Sequence, residues 1–170
     1  MPQPLGQDGG IATLDASLLG TGPITTDILR SIFASDQDMY PAPLTFERLQ
    51  SWVNAAPEAS CCFYADEDQD QGDDRAAAAT KVLVGAVVAM PLREARWEAL
   101  LNGALKETDV QAAEDFSNDN GGDSGIGVHV FHVEKFQGPR VAGFARAAVD
   151  AVVQSVMAAG RGRVIGVSGT

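Results

Sequence analysis

Apolar positions three and four apart mark the helices of this chain. Ile28, Leu29, Ile32 and Phe33 share one face of a segment entered at Thr25 or Thr26, either of which can cap a helix N-terminus. A polar connection runs from Asp36 to the Pro41 and Pro43 pair. Thr45 then caps a second helix that carries Phe46, Leu49, Trp52 and Val53 on one face and ends at Pro57. Trp97, Leu100, Leu101, Ala104 and Leu105 predict an inserted helix over Glu94–Glu107, with another turn over Gln111–Phe116. The strongest amphipathic pattern is Val141, Phe144, Ala145, Ala148, Val149, Val152, Val153, Val156 and Met157, closed by Gly160 where a left-handed cap is favoured.

Between the helices lie β-prone runs. Ile11–Leu14 reads as a brief first strand or an ordered arm, and Ser60–Ala65 as a strand. Val82–Met90 is a continuous apolar run of the kind a buried strand shows, with Pro91 expected to stop it. Val128–Phe136 and Val164–Val167 complete the set. Two low-complexity stretches interrupt the pattern: the acidic block from Asp66 to Asp74 within residues 66–80, and the Asn, Asp, Gly and Ser run within residues 117–126. Neither can bury enough apolar area to order itself, so both read as disordered loops. The order of elements predicts an α/β fold: one domain over residues 1–170 with a mixed sheet flanked by helices on both faces.

Composition narrows the partners. A length of 170 residues with 45% hydrophobic content suits one domain with a sizeable core. The net charge of -11 argues against a sequence-independent hold on nucleic acid, which depends on neutralising phosphates, and suits an amine-bearing, cationic partner. Met1–Gly10 has neither the basic start nor the apolar run of a signal or anchor, so no membrane association and a soluble, cytoplasmic protein are expected. Adjacent Cys61 and Cys62 read as buried, reduced strand residues. With only two histidines and two adjacent cysteines, no metal site is expected, and the acidic block lacks the spacing of a calcium loop. No Ser-His-Asp or Cys-His arrangement carries a recognisable local motif.

The informative segment is Val128–Thr170, where a strand passes through Arg140-Val141-Ala142-Gly143-Phe144-Ala145 into a helix and returns as a short strand. A helix N-terminus offers unpaired N–H donors and the positive end of its dipole, Gly143 and Ala145 let a ligand approach the backbone, and Arg140 adds a charge-assisted hydrogen bond. Val141 to Ala145 therefore read as a cradle for a pyrophosphate. The turn resembles the Q/R-x-x-G-x-G/A signature of the GNAT N-acetyltransferase family through Arg140, Gly143 and Ala145. It sits where the family places it, after the fourth strand and opening the third helix. Asp36-Gln37-Asp38-Met39-Tyr40-Pro41, Pro91-Leu92 with Trp97-Glu98-Ala99-Leu100-Leu101, and Val128-His129-Val130-Phe131-His132-Val133-Glu134 extend the resemblance to about Thr25–Thr170, in particular to fungal GNAT-like proteins with an insertion between the third and fourth strands.

The resemblance implies acetyl-CoA as co-substrate and a GNAT-like mixed, mostly antiparallel and splayed sheet whose strand around Val133 and Lys135 hydrogen-bonds the pantetheine arm. It also implies transfer of acetyl to a small-molecule or peptide amine. In many relatives a Glu on or near this strand deprotonates the amine, which makes Glu134 the first candidate base, then His132 and then His129. In a regular strand His132 and Glu134 face one way and His129 the other. Two departures stand out. The link from Val133 to Arg140 is longer than usual and contains Gly138 and Pro139, and the sequence stops at Thr170, before the family's further helix and strands. The tyrosine that often protonates the departing thiolate belongs to that later part, and neither Tyr40 nor Tyr64 matches it. A non-catalytic ligand- or partner-binding protein of the same fold, and an unrelated small phosphate-binding α/β domain, are the other readings. The edge at Val164–Val167 is expected to support a homodimer.

Overall fold

The computed structural model of the chain describes residues 13–39, 43–66, 80–118 and 125–169. It begins with a three-residue strand β1 (Thr13–Asp15), a 3-10 turn capped by Asp15, and β2 (Gly20–Gly22). Helix α1 (Thr26–Met39) follows, with the Thr25 side chain accepting from Ile28 N. It runs through Asp36–Asp38, which the polar composition had assigned to the connection. Ile32, fully buried, and the partly buried Phe33 seat its middle, so core contacts outweigh the weak helix preference of the aspartates.

Helix α2 (Phe46–Ala55) starts as expected at Thr45, whose Oγ1 accepts from Arg48 N, and stops before the 3-10 turn Pro57–Ala59. Strands β3 (Ser60–Asp66) and β4 (Lys81–Arg93) form an antiparallel pair. Strand β4 does not stop at Pro91. Pairing with β3 reaches only Val88, and the Pro91 carbonyl accepts from Ser117 N on that same vacated edge. The N–H that proline lacks would have pointed to this edge and not to the partner on the other side, so the ladder continues to Arg93.

Helix α3 (Glu94–Leu101) is shorter than the apolar spacing implied. Asn102 accepts from Ala104 N, and Gly103 at φ +79 donates to Leu100 O, a left-handed stop that leaves Ala104 and Leu105 outside the helix. A 3-10 turn at Glu107–Asp109 and the single turn α4 (Ala112–Asp115) complete the insertion. Strand β5 (Gly125–Lys135) starts three residues before the expected Val128. Then come β6 (Arg140–Ala142), α5 (Phe144–Ala158) and β7 (Arg163–Gly169). Helix α5 ends ahead of Gly160 at φ +72, as its sequence predicts.

The sheet order is β2-β3-β4-β5-β7, antiparallel throughout except for the parallel β5–β7 pair joined by α5. The chain is thus an α/β protein with a mixed, mostly antiparallel open sheet. Helix α5 covers one face, with Phe144 stacked edge-on to Phe63 at 5.3 Å. On the other face Trp52 of α2 meets Phe131 at 5.3 Å. A separate two-stranded parallel ladder joins β1 to β6. Among the described residues no helix is long and apolar enough to cross a membrane. The expected loops and the polar N-terminus lie mostly outside the described residues, as does Tyr40.

Candidate active site

The decisive feature of β5 is an extra residue. On β4, Val88 lies opposite His132, the next residue Ala89 lies opposite Val130, and Met90 lies opposite His129. Phe131 is left unmatched, a β-bulge. Val88 and Met90 are two apart and share a face, so their partners His132 and His129 share it too. Glu134, opposite Ala86, joins them. The regular alternation expected from the sequence, which separated His129 from His132 and Glu134, is overturned by this one residue.

Two hydrogen-bonded groups result. His132 Nε2 lies 3.1 Å from Glu134 Oε2, with the imidazole buried and the carboxylate partly exposed. On α1, burial pushes the Asp36 carboxyl above its ordinary value; the charge of His132 opposes this and that of Glu107 reinforces it. In the second group His129 Nε2 lies 2.6 Å from Glu107 Oε1, and His129 Nδ1 lies 2.9 Å from Ser168 Oγ. That oxygen also accepts from Trp97 Nε1 at 2.9 Å. Trp97 can lie flat on the sheet because Gly127 and Gly166 beneath it lack side chains; a Cβ on either would fall 1.9 or 2.2 Å from the indole.

Strand β7 pairs with β5 only as far as Val130 and Gly169; beyond the unmatched Phe131, His132 to Lys135 pair with β4 on one edge and, among the described residues, with no strand on the other. The N-terminus of α5 follows in the chain. Gly143 is its cap, at φ +68, with no side chain to close it. The first helical bond is Ala147 N to Gly143 O, so the N–H groups of Phe144, Ala145 and Arg146 precede the helical ladder. Lys135, Arg140 and Arg146 fall in a stretch with no acidic residue between Glu134 and Asp150, a basic island in an acidic chain.

The candidate cradle is modified in two ways. Arg140, Val141 and Ala142 are strand residues paired with Thr13, Leu14 and Asp15, so the helix opens at Phe144 and not at Val141. The Phe144 ring packs into the core against Phe63 and over Gly85, leaving only its backbone for a ligand. Gly143 and Ala145 are exposed, with open space where a Gly143 Cβ would be. Val133 is partly buried, and Lys135 is exposed and donates to Phe136 O.

Asp36, Glu107, Trp97 and Ser168 are not among the site residues that the sequence suggests. The small residues Gly127 and Gly166, each interrupting a Val- and Ile-rich strand, were the available signal. Among the described residues no three His, Cys, Asp or Glu side chains group as a metal site. The chain matches no family model, and no curated protein matches it.

Proposed function

We propose that the chain is a GNAT-type N-acetyltransferase that moves acetyl from acetyl-CoA to an amine. The observation that carries this reading is the N-terminus of α5, whose Gly143 cap has no side chain to close it and which follows the open edge of β5 within a parallel β5–α5–β7 unit. The N–H groups of Phe144, Ala145 and Arg146, which precede the helical ladder, suit a pyrophosphate, with Arg140 nearby in sequence. The open edge of His132 to Lys135 suits an extended amide-bearing arm, which would bond to it as a further strand does.

The residues on the shared face supply the rest. Glu134, hydrogen-bonded to His132, takes a proton from the ammonium group; the amine nitrogen then bonds to the thioester carbonyl carbon, the carbon–sulfur bond breaks, and coenzyme A leaves as a thiolate that takes up the proton the nitrogen loses. An open cleft of about 260 Å³, lined by Asp27, Ile28, Ser31, Leu83 and Phe136, lies at the end of β5 two residues past Glu134 and gives the amine a way in. Positioning carries much of the rate in this scheme.

Titration calorimetry of acetyl-CoA into the full chain tests it, with Gly143→Glu and Gly143→Asn in parallel. Asn tolerates the left-handed backbone and Glu adds bulk and negative charge. Micromolar-range binding, kept by Asn and lost with Glu, supports the cofactor site. Absence of binding by the folded wild-type chain refutes it and leaves a non-catalytic protein of the same shape.

A further inference from the structure

The Glu107–His129–Ser168 line plays no part in that scheme. Its three residues come from the insertion, from β5 and from β7, and no local sequence motif connects them. Their polarity follows from the donors present. An indole nitrogen only donates, so Ser168 Oγ accepts from Trp97 and keeps its own hydrogen to give. In the neutral imidazole, Ser168 donates to Nδ1, and the proton on Nε2 is held by the Glu107 carboxylate.

That is the arrangement of an acid–base–nucleophile triad, which is recognised by geometry and not by order in the chain. A mere tie between the insertion and the sheet needs only the bond from Trp97 to Ser168. A buried imidazole backed by a carboxylate adds desolvation without a matching gain in stability. Ser168 itself is only half-buried, on β7, which pairs with β5 alone among the described strands.

We propose that Ser168 is a nucleophile toward activated acyl and phosphonyl groups, with His129 as its base and Glu107 and Trp97 as positioning residues. With an aryl acetate, Ser168 Oγ bonds to the carbonyl carbon and its proton passes to His129 Nδ1. The tetrahedral adduct then collapses, and the aryl oxide leaves with the proton from the imidazolium. Water hydrolyses the acetyl-serine by the same route: its proton goes to Nδ1, the acyl–Oγ bond breaks, and the proton returns to Oγ. The net reaction is ester hydrolysis, and it does not require coenzyme A.

The test is labelling of the full chain with a fluorophosphonate, which forms a P–O bond and releases fluoride from an activated serine, with the site located by peptide mass mapping. The expected result is a single adduct at Ser168, formed about 100-fold or more slowly in His129→Gln and slowed in Glu107→Gln with the fold intact. Ser168→Ala abolishes labelling at unchanged helicity, and Ser168→Cys restores reactivity toward 4-nitrophenyl acetate. A folded wild-type chain that gains no adduct, or one on another residue, overturns the proposal. So does a Glu107→Gln chain labelled at the wild-type rate.

Discussion

His129 and His132 stand three residues apart on β5 and point the same way. Three residues along a regular strand reverse the direction of a side chain, so the unmatched Phe131 is what brings both imidazoles to one face of the sheet. The ring of Phe131 is held against Trp52, and the Trp52 indole donates to Val110 O at 3.0 Å. Packing on α2 and the insertion thereby holds the bulge that shapes the site.

Gly127→Ala tests how Trp97 is seated. The new methyl falls 1.9 Å from the indole, so the ring must leave the sheet and drop its bond to Ser168. The expected cost is about 2–4 kcal/mol, read from the urea midpoint together with a red shift in tryptophan emission. In Trp97→Ala the same glycine change costs far less, because the clash is gone.

Asp36→Asn is expected to stabilise the protein near neutral pH. Burial raises the Asp36 pKa above its ordinary 3.8, so the folded state disfavours its charge. Its contribution to stability is fully present below about pH 3.8 and is lost as pH rises through the raised folded value. Asparagine removes that loss, by at most about 0.5 kcal/mol for so exposed a group. Thermal melts at neutral and acid pH check it: the advantage shrinks in acid, and a destabilised variant at neutral pH contradicts the assignment.

The thiols are expected to be inert in the native protein. Burial, reinforced by its neighbour Cys62, pushes the Cys61 thiol from its ordinary 9.0 up to about 11, and burial raises Cys62 as well. Two units mean about a 100-fold smaller thiolate fraction at Cys61 at pH 8. A coloured disulfide reagent then reacts slowly with the native chain and rapidly with both cysteines after denaturation.

Arg161→Met is expected to cost about 2–4 kcal/mol. The Arg161 side chain pairs with Glu58 and donates to Ala55 O and Ser117 O, while its own carbonyl accepts from Ser117 Oγ. Removing it strands a mostly buried carboxylate and two carbonyls. Lysine lacks the planar fork and recovers only part of the loss, as urea titration measures.

Periodicity located most elements because burial acts on every third, fourth or second residue alike. The apolar run of β4, the Thr45 start of α2 and the Gly160 end of α5 follow from local chemistry alone. The errors arise where one non-local contact overrides a local preference. Pro91 stays in its strand because its missing donor faces an edge already vacated by β3, and Asn102 with Gly103 ends α3 despite the apolar spacing of Ala104 and Leu105. A bulge leaves no mark on hydrophobic patterning, so the facing of His129 was illegible. The meeting of Glu107, His129 and Ser168 depends on three separate elements and could not be read from any segment.

The short β1–β6 ladder has a consequence for the order in which the molecule comes together. It joins Thr13–Asp15 to Arg140–Ala142 across nearly the whole chain, so closing it demands a large loss of chain entropy for three residues of pairing. During synthesis the turn into α5 therefore takes its final shape after the sheet has assembled. Once folded, so short a ladder is also open to brief local partings that leave the core intact, and its paired amide protons are expected to exchange sooner than those of the central strands.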